Sequence, residues 1–268
     1  MNYFKTILSA IFISTLFACS GSENTEANQT LLDKPVAEMT YSETSQALLA
    51  AIKDEKETKE LTAKLANVSQ DALEKELDTD NERLAFWVNV YNANIILILQ
   101  EHPEYYDDRD TFFKKDQVKV AGELLSFDKI EHGIIRHSTV KLSKGYLRDF
   151  FPGEFEKRFR VKDKDPRIHF VLNCGANDCP PVYIYNPTTL DKDFDQIAKA
   201  YLNRMSTYDA NKQVVTTTPL FNWFTGDWGG KGGVKDFLSN YGIIPEDNNK
   251  IDLEFKDYDW TLNIDNFG

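Results

Sequence analysis

The chain has 268 residues, a formal net charge of −12, and 41% hydrophobic residues, among them 18 Phe, 12 Tyr and 4 Trp. That is enough apolar material for one large core or two small ones, and no internal repeat divides it. So acidic a surface, with a pI of about 4.9, repels phosphate backbones and excludes nucleic acid as an expected partner.

Asn2 to Lys5 form a weakly basic start, and Ile7 to Phe17 an apolar stretch of signal-peptide length. The stretch ends in Leu16-Phe17-Ala18-Cys19, which resembles a bacterial lipobox. That resemblance implies cleavage before Cys19 and diacylglyceryl attachment to it. Residues 1–18 then read as a lipoprotein signal peptide, 19–33 as the lipidated end with a polar tether, and 34–268 as a single domain. The expected setting is the cell envelope, with the membrane as a partner through the anchor at Cys19. Ser20, where an Asp would signal retention, points to the outer membrane. The bland alternative is an ordinary signal in which Cys19 is incidental. Beyond this segment no apolar run is long enough to span a bilayer.

Ser42 to Asn67 alternate charge with Leu48, Leu49, Ile52, Leu61 and Leu65, a helical pattern with Ser42 or Thr44 as cap and Glu55 to Glu60 as a solvated face. A short helix follows near Gln70 to Leu77. Asn81 to Gln100 is apolar on nearly every face, which predicts a buried central helix that His102-Pro103 ends. Asn89 and Asn92 share a face of it. Buried amides need partners; these two either tie the helix to neighbouring backbone, or orient a catalytic imidazole or donate to an oxyanion.

Gln117 to Leu125 read as a hairpin turning at Ala121-Gly122. Asp128 with Glu131 resembles a capping box opening a helix that carries His132 and Arg136, at i and i+4, on one face. Lys141 to Phe159 read as an amphipathic helix broken at Pro152-Gly153. Ile168 to Leu172 read as a central strand ending at Asn173-Cys174-Gly175, with Cys179-Pro180-Pro181 just beyond. Asp191 to Met205 is an amphipathic helix and Gln213 to Thr217 a strand. The glycine cluster Gly226 to Gly233 lacks the spacing of a phosphate loop and reads as a mobile surface loop before a helix over Val234 to Tyr241. Ile251 to Phe255 form a last strand.

Five of these stretches together resemble the family called domain of unknown function 547: Phe86 to Ala93, Ile130 to Arg136, Asp165 to Gly175, Cys179 to Pro181, and Tyr258 to Asn263. The likeness spans roughly residues 77–263. It implies an α+β domain found in exported bacterial proteins and in eukaryotic multidomain proteins, with a suspected relation to cysteine-peptidase or transglutaminase-like folds. The expected architecture is α+β: a buried central helix, a small mostly antiparallel sheet, and peripheral helices.

The chemistry divides three ways. In the enzyme reading Cys174 is the nucleophile and His132 the base, Arg136 adds positive charge that favours the thiolate, and the Gly175 N–H is free to face an oxyanion. The reaction would be acyl transfer or peptide-bond hydrolysis on a peptide-like or small-molecule envelope substrate. His169 is the rival base, though on a strand it would point away from Cys174; Cys179 is the rival nucleophile. In the second reading Cys174 and Cys179 form a disulfide that pins the turn of a non-catalytic binding module, with the glycine-aromatic segment Phe221 to Gly233 as its ligand grip. A metal site from His132, His169, Cys174 and Cys179 matches no common spacing, and the sequence calls for no cofactor.

Overall fold

The computed structural model describes residues 28–268, so the expected signal peptide, Cys19 and the tether as far as residue 27 lie outside the described residues. Residues 28–32, which the sequence assigns to the tether, are helical. A chain beginning at residue 20 contains every described element and both cores set out below.

Four helices build the first half: α1 (Tyr41–Lys53), α2 (Lys59–Asn67), α3 (Gln70–Glu76) and α4 (Asp80–Glu101). The helix expected over 42–67 is therefore two. Its cap is Thr40, which accepts from Glu43 N while the Glu43 carboxylate accepts from Thr40 N. Glu55 sits at φ 54°, so the charge run begins in a turn between α1 and α2. A second reciprocal cap, Thr79 with Glu82, starts α4. Helix α4 is buried along most of its length and packs against α1 on one side and a π-helix (Lys129–Ile135) on the other. It is the central helix that its all-round apolarity predicts.

A short helix α5 (Arg109–Lys114) leads to the hairpin of β1 (Val118–Val120) and β2 (Glu123–Leu125), which turns at Ala121-Gly122 as expected. The helix expected over 141–159 is only a 3-10 turn at Lys141–Ser143, a loop, and α6 (Glu154–Phe159). Helix α7 (Leu190–Met205) precedes β3 (Thr207–Asp209) and β4 (Val214–Thr217). Then come α8 (Leu220–Trp223), a 3-10 turn (Thr225–Trp228), α9 (Lys231–Asn240) and β5 (Asp252–Phe255). β4 pairs antiparallel with β3 and parallel with β5. The expected α+β class holds, and two of the three strand pairings are antiparallel.

The expected central strand at Ile168–Leu172 is a buried 3-10 turn, Pro166–Phe170. Asp165 caps it, its Oδ1 accepting from Arg167 N at 2.9 Å. Pro166 fixes φ at the first position, where a missing N–H costs nothing. The apolar run serves two cores instead of two faces of a sheet. Ile168, Val171 and Leu172 join the large core around α1–α4. Phe170 joins a second core made by α7, β4, α8 and α9, with Tyr201, Phe221, Trp228 and Leu238.

Trp87 on α4 is fully buried and meets Phe86, Phe155 and Phe159 edge-on at 5.1, 6.1 and 6.0 Å. Trp87→Ala should cost about 3–5 kcal/mol, a fall of at least about 6 °C in a thermal melt of a chain this size. A variant melting within about two degrees of wild type would contradict the central place of α4.

Candidate active site

His132 and Arg136 sit at the wide turn of the π-helix, where Arg136 N donates to Glu131 O and Ser138 N to Gly133 O. Such insertions recur at functional sites. The expected Asp128 cap is absent; Lys129 N instead donates to the Ser126 hydroxyl. Both side chains are buried, and Arg136 Nη1 lies 2.8 Å from His132 Nδ1. Guanidinium is only a donor, so Nδ1 must accept and the imidazole proton sits on Nε2. Nε2 lies 3.7 Å from Asp128 Oδ1. Burial, reinforced by the Arg136 charge, lowers the His132 pKa to about 3. His132 is thus a neutral N–H donor. It is not the imidazolium expected beside a thiolate, nor, with Nδ1 occupied by Arg136, the expected base.

The other end of Arg136 reaches Asp227. Its Nε donates to Oδ2 at 2.8 Å, with Nη2 2.8 Å from the same oxygen. His169 Nε2 approaches Oδ2 at 2.8 Å and Lys164 Nζ approaches Oδ1 at 2.8 Å. Burial alone would raise the Asp227 pKa, but the hydrogen bond from His169 and the charge and hydrogen bond of Arg136 hold it well below the usual carboxylate range. An ionised carboxylate only accepts, so the His169 proton is on Nε2. Nδ1 makes no hydrogen bond among the described residues. Burial pushes the His169 pKa down, against the pull of Asp227 and with the Arg136 charge adding to the fall, so the ring is neutral. It stacks on Phe224 at 4.0 Å, and the Arg136 guanidinium lies 4.5 Å from the same ring.

Asn92 delivers the cysteine turn. Its Nδ2 donates to Val171 O at 2.9 Å, and its Oδ1 accepts from Asn173 N at 2.8 Å. Asn89 clamps Tyr185 in the same two-sided way and also donates to Ser45 Oγ. Both amides therefore hold backbone, and neither orients an imidazole or faces an oxyanion. The Gly175 N–H is not free either: it donates to Asn173 Oδ1 at 2.8 Å. Gly175 has φ +85°, and a Cβ there would meet Leu99 and Tyr106 side chains at 3.0 and 3.2 Å.

Cys174 and Cys179 form a disulfide, Cα to Cα 6.3 Å, so Cys174 is not the free thiol of the enzyme reading. Cys174 is half-buried and Cys179 buried. Cys179 Sγ accepts from Cys174 N at 3.1 Å and from the Tyr258 hydroxyl at 3.3 Å.

A cavity of about 340 Å³ brings these groups together. His132, His169, Cys174 and Cys179 all line it. Asp128, Glu131 and Lys141 stand on its polar side, and Phe113, Leu172, Leu220, Trp223, Phe224, Tyr258 and Trp260 form its apolar wall. Arg136, Asn89, Asn92 and Gly175 do not line it. Among the described residues no group of three His, Cys, Asp or Glu stands ready to hold a metal ion. The segment Phe221 to Gly233, expected as a mobile grip, is instead helix and turn with Phe221 and Trp228 in the second core. Asp227 escaped the sequence reading for that reason, as did the role of Tyr258. The one available signal was an acid between a glycine and a tryptophan in an aromatic context.

Residues 75–202 match the family described as "Protein of unknown function, DUF547". No curated protein and no solved structure gives a match, so the suspected cysteine-peptidase or transglutaminase likeness gains no support. The DUF547 match holds His132, Arg136, His169 and both cysteines of the turn. Asp227 and Tyr258, which complete the site, lie beyond it.

Both buried histidines tie stability to pH. Unfolded, each takes a proton as pH falls below about 6.5; folded, His132 stays neutral down to about 3. The unfolded state then binds more protons, and stability falls as pH drops below about 6.5, by at most about 1.4 kcal/mol per pH unit for each histidine. His132→Gln, whose amide oxygen can still accept from Arg136, should flatten this slope between about pH 6.5 and 4 in denaturant melts. An unchanged slope would contradict the assignment.

Proposed function

We propose that the domain is a thiol-dependent acyl-transfer or hydrolytic enzyme of the cell envelope, with reduced Cys174 as nucleophile and His169, oriented by Asp227, as base. The observation that carries this reading is the convergence of Cys174 and His169 on one largely apolar cavity, with His169 held through Nε2 by a buried carboxylate and Nδ1 left without a partner. That is the division of labour a nucleophile–base–orienter set requires.

Reduction comes first. An external thiolate reaches the half-buried Cys174 more readily than the buried Cys179, and the electron pair leaves on Cys179. There the Cys174 N–H and the Tyr258 hydroxyl favour the thiolate. A second external thiol then frees Cys174 as a thiol. In the acyl step the Cys174 proton passes to His169 Nδ1, the sulfur–carbonyl bond forms, and the proton goes on to the leaving group as its bond to carbon breaks. Water or another acceptor then releases the acyl group. His132 Nε2–H, polarised by Arg136 at Nδ1, is a neutral donor to developing negative charge on the carbonyl oxygen, the role open to an imidazole of depressed pKa. The aromatic wall suits an apolar acyl group or peptide side chain.

The disulfide favours a second reading, a non-catalytic envelope binding module whose turn is pinned by Cys174–Cys179. Alkylation with iodoacetamide before and after reduction, across pH, separates the two. The enzyme reading expects no labelling of unreduced protein. After reduction Cys174 should label fast near neutral pH. His169→Gln should slow that labelling and cut hydrolysis of a small activated ester or thioester by about 10²-fold or more. A Cys174 thiol of ordinary reactivity after reduction, indifferent to His169→Gln, would overturn the enzyme reading and leave the binding module.

A further inference from the structure

Between Thr139 and Phe151 the chain carries five large apolar side chains that are more than half exposed. Leu142 is 92% exposed, Phe151 90%, Phe150 84%, Tyr146 59% and Leu147 58%. Uncovered apolar groups massed in one place mark a contact surface. The backbone holding them out is bonded. Val140 N donates to Leu147 O and Asp149 N to Ser138 O across the base, while Gly226 N donates to Lys144 O beside the Asp227 turn. Interleaved with the apolar residues are Lys141, Lys144 and Arg148 against one acid, Asp149, so the loop is net positive in a chain of net charge −12. Lys141 bonds Asp128 and Lys144 bonds Asn222. Arg148 is exposed, and its side chain makes no hydrogen bond or ion pair among the described residues.

We propose that this loop docks the domain on an anionic lipid bilayer. Leu142, Phe150 and Phe151 enter the boundary between headgroups and acyl chains, and Arg148 meets lipid phosphate. Charge complementarity selects this occupant. A two-fold dimer through the loop would set its net positive charge against its own copy, whereas anionic headgroups neutralise it. The three most prominent side chains also stand clear of the fold, at 84–92% exposure, a form suited to insertion into a deformable apolar phase. The N-terminus agrees. If Cys19 is lipidated, the chain from it to residue 28 reaches at most about 30 Å, which keeps the domain at the bilayer. Because Lys141 and Leu142 also line the cavity, docking would open the cavity towards the lipid surface. This inference does not depend on the proposed chemistry.

The test uses a chain beginning at residue 20 with Cys19 absent, so that no anchor contributes. It is sedimented with phosphatidylcholine vesicles, with and without phosphatidylglycerol. Wild type should bind the vesicles containing phosphatidylglycerol. Phe150→Ser/Phe151→Ser should weaken that binding at least about tenfold, and Arg148→Ala several-fold, both with unchanged melting temperature since the side chains touch little. No binding to either lipid would overturn the proposal, as would equal binding by wild type and the double variant. Equal binding to both lipids would overturn the anionic assignment. A solution dimer that the double variant dissociates, without vesicle binding, would assign the patch to a second copy instead.

Discussion

A carboxylate with 2% of its side chain exposed is costly unless charge and hydrogen bonds surround it. Asp227 has both. Arg136 comes from the π-helix, His169 from the 3-10 turn and Lys164 from the segment before it, while Asp227 lies on the turn between α8 and α9. One ion therefore joins four stretches of chain. The two histidines inherit complementary states from it. Asp227 takes the proton side of His169 and leaves a lone pair on Nδ1 of a ring that lines the cavity. Arg136, neutralised by Asp227, gives a remaining N–H to His132 and leaves that ring, which also lines the cavity, with a donor on Nε2. An acceptor and a donor in one apolar cavity are the minimum that acid–base chemistry needs.

The parts of the fold legible in the sequence are those whose pattern is set by burial over several turns. Helix α4 is apolar all round and central; α7 is one-sided and peripheral; the hairpin is marked by Ala121-Gly122. Illegible parts depend on partners far along the chain. Ile168 to Leu172 have the composition of a strand, but among the described residues no strand pairs with them, and Asp165 with Pro166 starts a 3-10 turn instead. On a strand His169 would point away from Cys174; on the 3-10 turn it lines the same cavity as Cys174. Glycine content misled in the opposite sense. Gly226 and Gly233 are demanded by contact: a Cβ would lie 2.7 Å from Gly145 C in the first case and 1.7 Å from Trp228 O in the second. Tight packing and looseness leave the same letters.

His132 and Arg136 show a subtler failure. Their shared face is correctly given by i,i+4 spacing, but the sign of the effect is not. Burial lowers the pKa of the imidazole and the cation beside it lowers it further, so His132 is a neutral donor and no help to a thiolate. The pairing of Asn89 and Asn92 with backbone was open from the sequence, and the structure decides it for both.

The cover over the cysteine turn has a temporal side. Tyr258, whose hydroxyl touches Cys179, lies 79 residues beyond it. Asn177 N and Asn263 N bond the turn to the same late segment. During vectorial synthesis both thiols emerge well before the residues that enclose them. Any oxidant present then meets the pair while it is open, so the order of emergence favours a closed disulfide at the moment the fold is completed. Later access to the thiols then depends on a reductant small enough to enter an aromatic-walled cavity.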